Sequence, residues 1–271
     1  MTGRRKALAA GAAVLVLLGG AGGIAWRHYE AVHEDFSDCP ASPEAAHPER
    51  TGIAGLREVR FPRADGKHVA GWYAPSRSGA SVLLMHGTNA DRTALLYETR
   101  ALAQAGFGVL ALDWAGCGAS EGTIDWGAGE RSTLEAAVDW LSRQQGTDST
   151  RIGAYGFSMG AHMLAQVAAL DPRLRAVVLA GPPSDIPLLY RTRHTRWGPL
   201  SEWPAEWAFE RSTGDGWAGV TVVQAAPRIA PRPVLVVGGS LDPVVSEAMA
   251  RRVFDAAREP KELWIVRGAG H

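Results

Sequence analysis

From about residue 56 onward, short apolar runs alternate with amphipathic stretches. "LREVRFPRADGKHVAGWYAP" alternates on either side of Ala64-Asp65-Gly66-Lys67, the pattern of a β-hairpin. "SVLLMHG" and "FGVLALD" are apolar on both faces and short, as buried strands are, and "DRTALLYETRALAQAG" between them has helical spacing and a closing glycine. The alternation continues. A helix is expected from about Ala128 to Gln145, a strand at "RIGAYG", a helix from Met159 to Leu170 and a strand at "RAVVLAG". After an irregular stretch come a strand at "PVLVVGG", a helix near Ser246 to Ala257 and a strand at "KELWIVRG". Strands apolar on both faces that alternate with helices predict one α/β domain, a mostly parallel sheet covered on both sides.

The N-terminus is of another kind. Arg4, Arg5 and Lys6 precede an uncharged run from Ala7 to Trp26. At ~1.5 Å per residue, such a run reaches ~30 Å, one bilayer core. The basic flank predicts a cytoplasmic N-terminus, with the rest of the chain exported. Residues 1–26 are therefore read as an uncleaved signal anchor, a transmembrane helix with the domain on the extracytoplasmic side of the cell membrane. The alternative is a cleaved signal peptide and a secreted or periplasmic product, since Gly23-Ile24-Ala25 is an acceptable cleavage site. Residues 27–51 are polar and broken by Pro40, Pro43 and Pro48, the composition of a linker, and the domain is taken as 52–271.

Charge narrows the partners. The chain carries 28 basic and 28 acidic residues, a balance that points away from nucleic acid. Cys39 and Cys117 are far apart and form no metal-binding spacing. They are read as two unrelated thiols, with a disulfide as the alternative outside the cytosol. No metal or cofactor is expected.

One short motif carries chemistry. Gly156-Phe157-Ser158-Met159-Gly160 is G-x-S-x-G, placed where a strand pattern turns helical. A tight strand-to-helix turn brings backbone close enough that a Cβ is unwelcome at both flanking positions, and it lifts the serine hydroxyl above the sheet edge. A serine hydroxyl is a weak nucleophile and needs a base, itself oriented by a third group. In parallel sheets such groups collect at the carboxyl ends of strands. Asp242 follows "PVLVVGGSL" and His271 follows "KELWIVRGAG", each just past a strand. Ser158, Asp242 and His271 are accordingly read as nucleophile, acid and base. Asp242 before Pro243 also suits an Asx turn, and His271 a solvated surface residue. His86 is read as a loop residue and His162 as packed within the helix layer.

Five pieces now stand in order: Met85-His86-Gly87-Thr88, the glycine loop from Asp113 to Gly122, the Ser158 elbow, Gly239-Ser240-Leu241-Asp242-Pro243, and Gly268-Ala269-Gly270-His271. From about Leu56 this series resembles the α/β-hydrolase fold family, especially bacterial serine hydrolases with an H-G loop and a short cap. The resemblance implies an oxyanion hole made by the backbone N–H groups of Met159 and Thr88. It implies a structural rather than catalytic role for Asp113, a cap at about 182–224, and a final helix after the histidine, beyond the last residue of this sequence.

The expected reaction is ester hydrolysis through an acyl-enzyme, without cofactor, on a small-molecule ester. Thioesters and peptides are alternatives on the same three residues, and a non-catalytic hydrolase-like binding protein is the alternative of another class. In the cap stretch Trp197, Trp203, Trp207 and Trp217 suit either an acyl pocket or cap packing. Arg191, Arg193 and Arg196 suit a solvated surface or an anionic substrate.

Overall fold

The computed structural model describes residues 19–24, 26–27, 30, 39, 41–124, 127–186, 189 and 221–271. Eight strands form one sheet: β1 (Arg57–Pro62), β2 (His68–Ala74), β3 (Ser81–Met85), β4 (Gly108–Leu112), β5 (Ile152–Phe157), β6 (Leu174–Ala180), β7 (Val234–Gly239) and β8 (Lys261–Val266). Their order is β1-β2-β4-β3-β5-β6-β7-β8. The first two pairings, β1 with β2 and β2 with β4, are antiparallel. All later pairings are parallel. Among the described residues of the domain the α-helices are α1 (Leu96–Gln104), α2 (Ala128–Ser142), α3 (Met159–Ala168), α4 (Val222–Ala225) and α5 (Glu247–Ala256).

The strand residues divide as the period of two requires. Leu83, Met85, Leu110 and Leu112 pack in one core with residues of α2, α3 and α5. Their alternates Leu84, Val109 and Ala111 pack on the other face with Leu95, Ala103 and Trp72. Both faces are apolar because both are covered. The predicted strands and long helices all stand within a few residues of their expected bounds. The four-residue α4 was not anticipated, since one turn leaves no periodic signature.

Two readings need correction. The stretch 27–51 does not behave as a linker throughout. Its later part, 43–51, forms two 3₁₀ turns, Pro43–Ala46 and Pro48–Thr51, packed on the domain. The buried Ala45 offers its carbonyl to Trp72 Nε1 at 3.0 Å and to Arg92 Nη2 at 3.2 Å. The Ser42 N–H donates to Asp91 Oδ2 at 2.6 Å. Proline-rich composition reports that no long helix forms, not that the chain is unattached. The two cysteines are not unrelated thiols either, because Cys39 and Cys117 form a disulfide. They lie 78 positions apart, and only the folding back of this arm onto the glycine loop brings them together.

Closing a loop of that length restricts the unfolded chain, so replacing both cysteines with serine is expected to cost roughly 2–4 kcal/mol. Urea denaturation of oxidised wild type against the double variant measures this. An unchanged midpoint would remove the bond from the stability of the fold.

Most of the apolar run Ala7–Trp26 lies outside the described residues. Residues 19–24 and 26–27 are helical. Among the described residues no helix is long and apolar enough to cross a membrane. Most of the cap stretch also lies outside them, including Trp197, Trp203, Trp207, Trp217, Arg191, Arg193 and Arg196.

Candidate active site

Ser158 occupies the corner between β5 and α3, with φ 54° and ψ −117°. A side-chain-bearing residue is strained in that region, and such strain persists only where its surroundings enforce it. Here the two flanking glycines allow the backbone to close. A Cβ on Gly156 would collide with the carbonyl oxygen of Gly160, and one on Gly160 with that of Met85 and, at 2.6 Å, that of His86. Backbone is in the way at both positions, so neither contact relaxes by a rotamer change. Gly160→Ala is therefore expected to cost 3 kcal/mol or more, of the order of a severe core overpacking, and to lower activity with it. Thermal unfolding beside an ester assay checks this. Wild-type values for both would mean that the elbow tolerates more than this packing allows.

The acid and base arrive from loops that are packed on one another. Leu241 N–H donates to Ala269 O at 2.9 Å, and Gly268 N–H to Ser240 Oγ at 2.9 Å. A Cβ on Gly239 would meet the carbonyl oxygens of Gly270 and Ala269 at 2.5 and 2.6 Å. Gly181, at the end of β6, leaves the room that the imidazole takes, since a Cβ there would be 3.3 Å from His271 Cε1. The Phe157 ring lies against His271 with centroids 4.8 Å apart.

The three residues form one hydrogen-bonded chain. His271 Nδ1–H donates to Asp242 Oδ2 at 2.7 Å, and the Ser158 hydroxyl donates to His271 Nε2 at 3.0 Å. Asp242 Oδ1 accepts the N–H groups of Val244 and Val245, each at 2.8 Å. The turn role and the acid role thus coexist on one carboxylate, with one oxygen for each. The Asp242 side chain is 2% exposed and that of His271 21%. A buried anion beside a partly accessible imidazole orients the ring and favours the imidazolium when a proton is taken from serine.

The H-G loop lies against the same corner. A Cβ on Gly87, the residue before Thr88, would be 3.1 Å from Ser158 Cβ. Met159 begins α3 immediately after Ser158. Among the described residues no protein group accepts from the amide of Thr88 or Met159.

The other titratable candidates are placed elsewhere. Asp113 is fully buried; its Oδ1 accepts from Arg92 N–H at 2.8 Å, its Oδ2 from Ala119 N–H at 2.9 Å, and Arg92 Nη1 stands 3.6 Å away. Burial raises its pKa, opposed by the Arg92 charge. His86 is buried, with Nδ1–H donating to Gly87 O at 2.7 Å and Nε2 accepting from Trp114 N–H at 3.4 Å. Burial lowers its pKa. His162, one turn into α3, takes a hydrogen bond from Gln166 Nε2 at 2.8 Å and is pushed down to about 4 by burial. Burial disfavours the charged form of both rings, and neither enters the Ser158–His271–Asp242 hydrogen-bond chain. Sequence reasoning did not foresee the two valine amides on Asp242, nor Gly181 and Gly239 as spacers. The first follows from the Asx-turn pattern; the spacers have no sequence signal, because their neighbours are distant in the chain.

The sequence pattern of the X-Pro dipeptidyl-peptidase (S15) family matches residues 70–204. The esterase Pf2001 of Pyrococcus furiosus is similar in structure, with TM-score 0.71 over 87% of this chain and 90% of that one, at 22% identity. The chain belongs to the α/β-hydrolase fold family. An uncharacterised Mycobacterium tuberculosis protein is 31% identical over 218 residues, 79% of this chain and 72% of its relative. The structure of a bacterial membrane phospholipase A, described as a virulence factor, is similar over 99% of this α/β-hydrolase and 92% of that chain. Its TM-score is 0.60 and its identity 20%.

Proposed function

We propose that this α/β-hydrolase is a serine esterase that cleaves carboxylic esters through an acyl-enzyme. The observation that carries the reading is the unbroken Ser158–His271–Asp242 hydrogen-bond chain. Ser158 Oγ attacks the carbonyl carbon while His271 Nε2 takes its proton, and Asp242 stabilises the imidazolium. The amides of Met159 and Thr88 hold the oxyanion, each worth about 3 kcal/mol to the transition state if preorganised as oxyanion donors usually are. His271 then gives its proton to the leaving alcohol. Water, deprotonated by the same imidazole, attacks the acyl carbon; the acyl–Oγ bond breaks as His271 returns the proton to Ser158 Oγ, and the acid is released.

Labelling by a fluorophosphonate probe, followed by a series of chromogenic esters of rising acyl length, tests this. Probe labelling lost on prior inhibition and turnover of at least one ester are expected. A protein inert to both would be a binding module. The family match favours a second reading, peptide cleavage on the same residues, and Xaa-Pro chromogenic peptides run in parallel decide between them.

We also place the enzyme on the exported face of the cell membrane, held by the run Ala7–Trp26. The basic flank, the length of the run and a disulfide suited to an oxidising compartment support this. The similarity to a membrane phospholipase A across 99% of the chain agrees with it. Alkaline carbonate is expected to leave the enzyme in the membrane pellet and detergent to release it. Activity in a soluble secreted fraction, with a mature N-terminus at Trp26 or beyond, would identify a cleaved signal peptide instead.

A further inference from the structure

The arm that leads to the apolar run and the three candidate catalytic residues meet at one edge of the domain. Strands β3 to β8 are parallel to one another, so their carboxyl ends share that edge. Ser158 follows β5, Asp242 follows β7 and His271 follows β8. The arm docks there as well. Cys39 is bonded to Cys117 in the loop after β4, and Ser42 N–H donates to Asp91 in the loop after β3. Ala45 is held by Arg92, the first residue of the 3₁₀ turn Arg92–Leu95 that follows that loop. β3 is the immediate neighbour of β5 and β4 the next strand out, so these docking segments follow the two strands nearest the nucleophile's strand on that side.

Upstream of the disulfide only residues 27–39 separate the apolar run from the domain. Even fully extended, those thirteen residues span no more than about 45 Å. The covalent attachment point is thus on the catalytic edge, thirteen residues or fewer from the run proposed to lie in the bilayer.

We propose that the arm holds the catalytic edge toward that bilayer and that the substrates are acyl esters resident in it. This rests on the serine esterase and anchor readings above. Ser158 Oγ would take the acyl group of a lipid ester as its acyl carbon–oxygen bond breaks. The alcohol part leaves with the proton from His271, and one water is consumed in freeing the fatty acid. Tethering makes the encounter local, so the rate follows the ester's mole fraction in the membrane and falls as the leash lengthens.

The test uses the oxidised full-length chain in phosphatidylcholine vesicles, with a long-acyl chromogenic ester dissolved in the bilayer and, separately, a water-soluble butyryl ester. A variant carries a twenty-residue Gly/Ser insertion between Arg27 and His28, outside the disulfide. Hydrolysis of the bilayer ester is expected to fall with surface dilution by inert lipid and to drop about fourfold on insertion, by the −3/2 power of leash length. The soluble ester should be cleaved equally by both proteins. Unchanged bilayer rates on insertion, or a wild type active on the soluble ester and inert to the bilayer one, would overturn the proposal and leave the esterase reading intact. Inactivity of the wild type on both esters would instead overturn the esterase reading, and this proposal with it.

Discussion

Ser158→Ala is expected to lower ester turnover by about 10⁵–10⁶-fold, the loss seen when a hydroxyl nucleophile of this kind is removed. The fold should survive, because only one oxygen is lost from a position whose backbone is set by its neighbours. Ser158→Gly sharpens the test. With φ at 54°, any side chain at this corner is strained, and glycine is not. The glycine variant should therefore be equally inactive but more stable than wild type, by about 1 kcal/mol or more. Thermal melting of both variants beside an ester assay reads the two effects separately. Turnover above a small fraction of wild type in either would mean that another group is the nucleophile.

Asp242→Asn and Asp113→Asn are expected to differ in kind. In Asp242→Asn the amide oxygen can keep the N–H groups of Val244 and Val245, which turns the NH₂ toward His271 Nδ1. The imidazole must then accept at Nδ1 and carry its proton on Nε2, facing the serine hydroxyl. Serine loses its proton acceptor, and kcat should fall about 10⁴-fold with little change in stability. In Asp113→Asn the NH₂ must face either Arg92 N–H or Ala119 N–H, donor against donor in a buried site. Stability should drop by about 1–3 kcal/mol, with kcat per folded molecule nearly unchanged. The steady-state rates and urea midpoints of the two variants decide the assignment. If the large loss of turnover followed Asp113→Asn, Asp113 rather than Asp242 would be the acid.

The contrast between these aspartates marks where local reading stops. Both follow a buried strand and both stand beside turn residues, so strand-end position alone makes each a candidate. What separates them is three-dimensional. Arg92 reaches Asp113 from a 3₁₀ turn 21 positions away, while His271 reaches Asp242 because two successive strands end side by side.

The order of elements, the parallel sheet and the corner at Ser158 were legible in the sequence by itself. Apolar periodicity is a local record of which faces are buried, and Gly156 records a clash with the Gly160 carbonyl only four residues on, whereas the clash that Gly160 avoids is with Met85 and His86 on a distant strand end. The disulfide, the docking of residues 41–51 and the spacing roles of Gly181 and Gly239 were decided only by the tertiary structure. Each depends on contacts between distant parts of the chain, and those leave no periodic trace. Cys39 and Cys117 carry the same letters whether free or bonded; it is the arm folding back over the ends of β3 and β4, held at Asp91, Arg92 and Trp72, that brings the two sulfurs together.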